Sequence, residues 1–298
     1  MDFRLYPLRF SFAARDSIHF PAGKAGNILR GAFGTTLRSL VCAPECPGAR
    51  ECPVRATCAY ARMFEPRAVA CGPSGLADWP RPFVFRATHL DGVTLGAGAG
   101  FHFDFHLFDM RAPAIDAISG AFAELSRTGL GPRRGRADLS GVSQWYGSKW
   151  TGGRAEPFTL DLAPGPQTER RIRVRFATPT ELKADGRERT QPEFGTLMAR
   201  IRDRIGALRE LYGDGPLDID FRAFGERAAR VRMTHCEIAR VETERRSSRT
   251  GQTHPIGGFV GEAEYEGDLS EFIPYLKAAQ WTGVGRQTVW GKGEIHVL

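Results

Sequence analysis

Two sets of side chains in this sequence have the types and spacing to do chemistry. His19 is followed closely by Lys24 and Arg30. An imidazole titrates near neutrality and can take a proton from a hydroxyl, while a neighbouring ammonium can steady a negative charge that develops nearby. Farther on, Cys42, Cys46, Cys52 and Cys58 offer four thiols in one short segment, with Cys71 behind them and Cys236 far downstream. The first spacing fits a zinc knuckle, the later ones are looser, and four soft ligands equally suit an iron–sulfur cluster or remain unliganded thiols. Four protein ligands would leave no open position, so any such metal is structural. The other histidines divide by place: His102, His106, His235 and His296 fall in strands and His89 at a strand end, where packing explains them. His254 shares a loop with Arg245, Arg246 and Arg249 that is better suited to gripping a polyanion than to cutting it.

A third pattern is built for contact rather than catalysis. Gly283, Gly285, Gly291 and Gly293 frame Arg286 and Lys292 in a loop that can adopt positive φ and present amides and cations to phosphate. A strand follows it where a dinucleotide-binding loop would need a helix. Arg133, Arg134 and Arg136 follow the Gly129-Leu-Gly131 run. Along one helix Gly26, Arg30, Gly34 and Arg38 recur at every fourth residue, so bare backbone alternates with arginine. That stripe suits close approach by a phosphate chain or by another helix. Arg171, Arg173 and Arg175 line one face of a strand, as a phosphate ladder or as a solvated face.

The charge balance agrees with a polyanionic partner. The chain has 298 residues, a net charge of +7 and 41 basic side chains, of which only Lys24, Lys149, Lys183, Lys277 and Lys292 are lysine. Arginine's planar fork binds phosphate bidentately and stacks on bases, although a codon bias would also raise its share. With 42% apolar residues the chain can build a real core. Its first twenty residues alternate apolar and charged positions, and no apolar run is long enough to span a bilayer. A cytoplasmic protein is expected, and in that reducing setting disulfides are not.

The elements that must position these groups follow from periodicity. A strand is expected over residues 3–13 and a helix over 23–40, with Leu29, Phe33, Leu37 and Leu40 at helical spacing. Strands 83–88 and 101–108 come next; in the second, Phe101, Phe103, Phe105 and Leu107 face one way and His102, Asp104 and His106 the other. A helix over 113–127 and a short strand close the first half. The second half repeats the order: strand 171–178, a long helix through Phe194, Met198, Ile201, Ile205 and Leu208, strands 231–244 and 258–265, a helix through Leu269, Phe272, Ile273 and Leu276, and a last strand 288–298. The class is α+β: two tandem ferredoxin-like (βαββαβ) domains, 1–146 and 169–298, joined by a polar, Gly-rich linker over 147–168. A cysteine-rich insertion over about 42–71 interrupts the first.

Several of these segments together resemble the CRISPR repeat-cleaving endoribonucleases of the RAMP superfamily. They are Gly283-Val-Gly285-Arg286 through Trp290-Gly291-Lys292-Gly293, the strand ending Phe176-Ala-Thr178-Pro179-Thr-Glu-Leu182-Lys183, and Gly257-Gly258-Phe-Val-Gly261. Leu29-Arg30-Gly31-Ala32-Phe33-Gly34 and Gly129-Leu-Gly131 with Arg133-Arg134-Gly135-Arg136 add to them. The resemblance implies one cut within each repeat of a long CRISPR transcript, without a metal. The ribose 2′-hydroxyl attacks, leaving a 2′,3′-cyclic phosphate and a 5′-hydroxyl. It also implies a base near the start of the first helix, hence His19 with Lys24 as the expected catalytic pair. Where members often carry a histidine before the last Gly-rich loop, this chain has Trp281-Thr282-Gly283. The expected partners are repeat RNA, the mature guide RNA and other CRISPR effector subunits. A noncatalytic guide-RNA subunit and a cysteine-centred redox or metal sensor are the competing readings.

Overall fold

The computed structural model describes residues 1–48, 51–66, 79–165, 169–184, 186–242, 244–246, 253–255 and 257–298. The chain divides into two compact units. One comprises Arg4–Phe158 with Ala207–Gly215, the other Met1–Phe3, Thr159–Gly206 and Pro216–Leu298.

In the first unit the strands are β1 (Asp2–Ala14), β2 (Phe83–Arg86), β3 (Gly100–Leu107) and β4 (Ala137–Trp145), in the spatial order β2-β3-β1-β4. All neighbours are antiparallel. The helices between them are α1 (Ala25–Val41), the short α2 (Ala59–Phe64), α3 (Ile115–Ala123) and α4 (Leu125–Thr128). Outer strands flank a central pair that includes the first, with helices after the first and third strands, which is the ferredoxin-like arrangement. Alternation along β1 and β3 drives it: Leu8, Phe10, Phe12, Phe101, Phe103 and Phe105 are all buried and share one face. Phe33 of α1 and Phe122 of α3 close over that face, their rings 5.0 Å apart, with Phe10 4.5 Å from Phe122 and Phe105 5.3 Å from Phe33. Each such ring contributes about 1.5–3 kcal/mol by leaving water.

The second unit has the same order in β5 (Arg171–Thr180), β6 (Arg232–Val241), β7 (Gly258–Glu266) and β8 (Ile295–Val297), arranged β6-β7-β5-β8. The long helix α5 (Phe194–Tyr212) follows β5, and α7 (Ile273–Thr282) follows β7. Leu197, Met198, Ile201 and Ile205 are fully buried, as their spacing requires. Tyr265 is buried with its hydroxyl donating to the Pro192 carbonyl at 2.6 Å. Burial raises its pKa far above the usual phenol value.

Several expectations are corrected. The helix expected over 113–127 begins at Ile115, after Ala114 in a left-handed conformation (φ 47), and is interrupted at Glu124. Its C-terminal companion starts at Ile273 instead of Leu269, because Pro274 suits a first turn and not a helix interior. The last strand is confined to Ile295–Val297, and Thr288–Trp290 form a 3₁₀ turn within the glycine loop. The segment expected as linker carries strands Trp150–Thr151 and Phe158–Asp161, both in the first sheet, and an unforeseen helix α6 (Phe221–Ala228) is capped by the Asp220 carboxylate. Among the described residues no helix is long and apolar enough to cross a membrane.

Candidate functional site

In the first unit, the chain leaving β1 forms a two-residue strand, Ile18–His19, paired with Thr94–Leu95. Ile18 is buried and anchors the pair, which turns His19 outward. The His19 Nδ1 lies 2.8 Å from the Thr94 hydroxyl. In the tautomer that donates this bond, Nε2 is left to accept a proton. Lys24 sits exposed at the start of α1. The Asp91 carboxylate accepts from the Ala25 amide at 2.8 Å, so the helix end is already capped by an anion.

The Gly129–Arg136 loop closes against the same segment. Leu130 and Gly135 bond each other's backbones, and a Cβ at Gly135 would lie 2.6 Å from the Ser17 carbonyl oxygen. Arg136 donates to both oxygens of Asp16, at 2.7 and 3.1 Å. These bonds hold the Asp16 carboxyl at about 2, well below the usual carboxylate range. Arg136 therefore clamps the loop, whereas Arg133 and Arg134 stand exposed at its tip, Arg134 at φ 50.

On α1 the glycine–arginine stripe serves packing. A Cβ at Gly34 would sit 3.0 Å from the Phe64 ring of α2. The guanidinium of Arg30 lies 5.2 Å from the centre of that ring and Arg38 lies 5.9 Å from that of Tyr60. Cys42 ends α1 and Cys58 precedes α2, with Cys52 buried between them. Burial raises the Cys42 thiol to about 11, helped by the neighbouring thiols of Cys58 and Cys46. Among the described residues no group of three or more His, Cys, Asp or Glu side chains is arranged to hold a metal. Cys71 lies outside the described residues.

In the second unit the glycine loop is stitched to the end of β5. The Val284 amide donates to the Gly293 carbonyl at 2.8 Å, the Gly293 amide to Pro179, and the Arg286 amide to Glu181. Gly285 (φ 76) and Gly293 (φ 67) are obligatory, since a Cβ would meet the Glu181 and Val284 carbonyl oxygens at 2.3 and 1.9 Å. The Glu181 carboxylate holds Arg286 at 3.2 Å and Lys183 at 3.3 Å. Arg286 remains 59% exposed, whereas Lys292, expected beside it on the surface, is 4% exposed. The loop thus offers Arg286 and keeps Lys292 within the fold. Arg245, Arg246 and His254 fall on a two-stranded ribbon, Glu244–Arg246 with Thr253–Pro255, where Arg245 pairs with His254. Arg249 lies outside the described residues.

The arginine ladder of β5 is answered by acids. Arg171 faces Glu264 and Glu266 at 3.5 and 3.8 Å, and Arg173 faces Glu262 and Glu264 at 3.7 and 3.6 Å. Sequence reasoning missed these partners, as it missed Asp91, Thr94, Asp16 and Glu181. Apart from Glu181 with Lys183, each is remote in sequence from the group it holds, and no local pattern announces it.

Comparisons with known proteins agree with this fold. The family model of the CRISPR-associated endoribonuclease Cas6 matches residues 174–295, and a model described as an N-terminal domain matches residues 3–154. No curated protein sequence gives a match. Among solved structures, a Cas6 product complex aligns with 99% of this chain and 99% of its own at 16% identity and a TM-score of 0.60. A Cas6 substrate mimic complex aligns over 99% and 100% at 18% identity and 0.53, and Thermus thermophilus Cas6 over 100% and 99% at 16% and 0.54. At such identities the likeness is one of fold. The second half of this chain therefore carries a domain of the CRISPR-associated endoribonuclease Cas6 family, and the chain has the Cas6 fold along its length.

Proposed function

We propose that the protein cuts CRISPR precursor RNA within its repeats, without a metal, by attack of the ribose 2′-hydroxyl on the adjacent phosphate, and that it retains the mature guide RNA. The observation that carries this reading is the exposed His19, oriented by Thr94, with Lys24 exposed at the start of α1, the helix that next follows in sequence. His19 Nε2 takes the proton of the 2′-hydroxyl. The 2′-oxygen bonds to phosphorus, the bond from phosphorus to the 5′-oxygen breaks, and that oxygen takes a proton from solvent. The products are a 2′,3′-cyclic phosphate and a 5′-hydroxyl. Lys24 faces the extra charge of the pentavalent phosphorane, which is where electrostatic stabilisation is largest.

Arg133 and Arg134 at the tip of their loop, Arg286 on the glycine loop, and Arg245 and Arg246 on the ribbon supply phosphate contacts. The Cas6 endoribonuclease model over residues 174–295 and neighbours solved as product and substrate mimic complexes support RNA as the substrate. A chain of a Cas6-RT-Cas1–Cas2 complex aligns with 99% of this one at 10% identity and a TM-score of 0.61, over 46% of its own length, which supports further Cas proteins as partners.

The test is a labelled repeat RNA incubated with the protein in EDTA. One discrete cut with a cyclic phosphate end is expected, and a substrate with 2′-deoxyribose at the scissile position must stay whole. Cutting of that substrate overturns the mechanism.

A further inference from the structure

The face of the first sheet that α1 and α3 leave uncovered carries chemistry that the reading above does not use. Register sets Arg86, Asp104, Arg9 and Ser143 side by side across β2, β3, β1 and β4. Arg9 donates to both Asp104 oxygens, at 2.6 and 3.0 Å, and its guanidinium lies 4.1 Å from the centre of the Trp150 ring. Trp145 meets Trp150 edge to face with centres 5.5 Å apart. One residue pair along, the His89 and His102 rings stack at 4.5 Å, locked by a contact of His89 Nε2 with the His102 carbonyl at 2.9 Å. Burial, reinforced by Arg9, lowers the His102 pKa and so favours a neutral, stackable ring. The face is closed at its Pro7 and His106 end, where both residues are buried. Toward the other end His89 is exposed and Arg9 and His102 are partly so, and on the outer strands level with Pro7 Trp145 and Trp150 are also partly exposed.

Flat rings at both ends with an arginine between them match neither a core nor an ordinary solvated face. Salt bridges alone would not require the Trp150 ring beneath Arg9. Four-stranded sheets of this topology bind unpaired nucleotides by stacking bases on rings of the central strands. A cationic groove set with aromatic rings is the general solution for single strands. We propose that this face is a stacking platform for an unpaired stretch of RNA. One base lies on the His89–His102 pair, another on the Trp145–Trp150 pair, and the donors of Arg9 not spent on Asp104 take the phosphate between. The platform rests on the reading of the protein as RNA-binding and is separate from the groups assigned to cutting.

An unstructured oligouridine of about eight nucleotides, within the usual range for one such site, tests it by fluorescence anisotropy beside a cleavage assay on repeat RNA. Trp150→Ala and His89→Ala should each weaken oligonucleotide binding by about tenfold, the lower part of what one stacked base is worth. Trp150→Phe should restore most of the loss. An abasic strand of equal length should bind the unaltered protein about as weakly as Trp150→Ala binds the oligouridine. Cleavage at saturating repeat RNA should be unchanged in all three variants. Should Trp150→Ala fail to fold, cross-linking of 4-thiouridine RNA to the unaltered protein must still map to the peptides bearing Trp150 or His102. Equal binding of the oligouridine and the abasic strand, or cross-links mapping elsewhere, overturns the platform. If repeat RNA is not cut while the Trp150 dependence holds, the cleavage reading fails and the platform stands.

Discussion

On the outer face of the C-terminal sheet, Arg171 and Arg173 are each answered by two glutamates of the neighbouring strand. On the N-terminal sheet, built with the same strand order, Arg9 has one carboxylate and a tryptophan ring instead. Elsewhere in that unit Lys24, Arg133 and Arg134 stand exposed. The ion-paired face spends its cations internally, and pairs so exposed contribute at most about 1 kcal/mol each. The other arrangement leaves cations and rings for a ligand. Topology alone therefore does not tell which copy of a duplicated fold carries a site; the identity of the residue across the strand does.

The comparison breaks most sharply at His19. If the chemistry resides in the N-terminal unit, His19→Ala should slow single-turnover cleavage by about 10²–10⁴-fold, the usual worth of general-base catalysis, with RNA affinity nearly unchanged. Persistence of full activity would move the base elsewhere, with His254 the next residue to replace. A smaller effect separates the arginines of the exposed loops from the ion-paired ladder of β5. Joint replacement of Arg133, Arg134 and Arg286 by Ala should weaken repeat binding and flatten its dependence on salt by about 0.7–0.9 in log–log slope for each phosphate that is no longer neutralised. Replacing Arg171 and Arg173 should leave both nearly unchanged. Equal effects from the two sets, read by anisotropy across a salt series, would erase the distinction.

Much of the scaffold is legible in the sequence. The alternation of Phe101, Phe103 and Phe105 and the spacing of Leu197, Ile201 and Ile205 are local signals, and local signals survive folding. The glycine loop is equally plain, because Gly285 and Gly293 sit where main chain meets main chain and only hydrogen fits. What cannot be read is every pairing across distance: Asp16 with Arg136, Glu181 with Arg286, Asp91 with the start of α1. Lys292 is misplaced for the same reason, since burial is set by residues remote in sequence. The stripe on α1 suits a phosphate chain or a helix equally well as a pattern, and Phe64 against Gly34 shows what the bare backbone admits.

The smallest effect concerns Cys42 and Cys58, which flank the end of α1 opposite to Lys24 and the start of α2. Cys42→Ser with Cys58→Ser should lower thermal stability while leaving the cleavage rate of the soluble protein unchanged. Zinc or iron near one equivalent in protein purified anaerobically without chelators, lost in the double variant, would show a structural ion held by thiols that regroup around it. Absence of both metals would assign the stability to packing alone.

The short stretch from Asp91 to Thr94 holds the surroundings of both members of the proposed catalytic pair: its first residue caps the helix that follows Lys24, and its last fixes the His19 ring. It behaves as a jig. Positional error introduced there is shared by base and cation, so they stay aligned with each other even when misaligned with the scissile phosphate. A one-residue insertion between Asp91 and Thr94 would therefore act like a change of substrate register and not like the loss of either group.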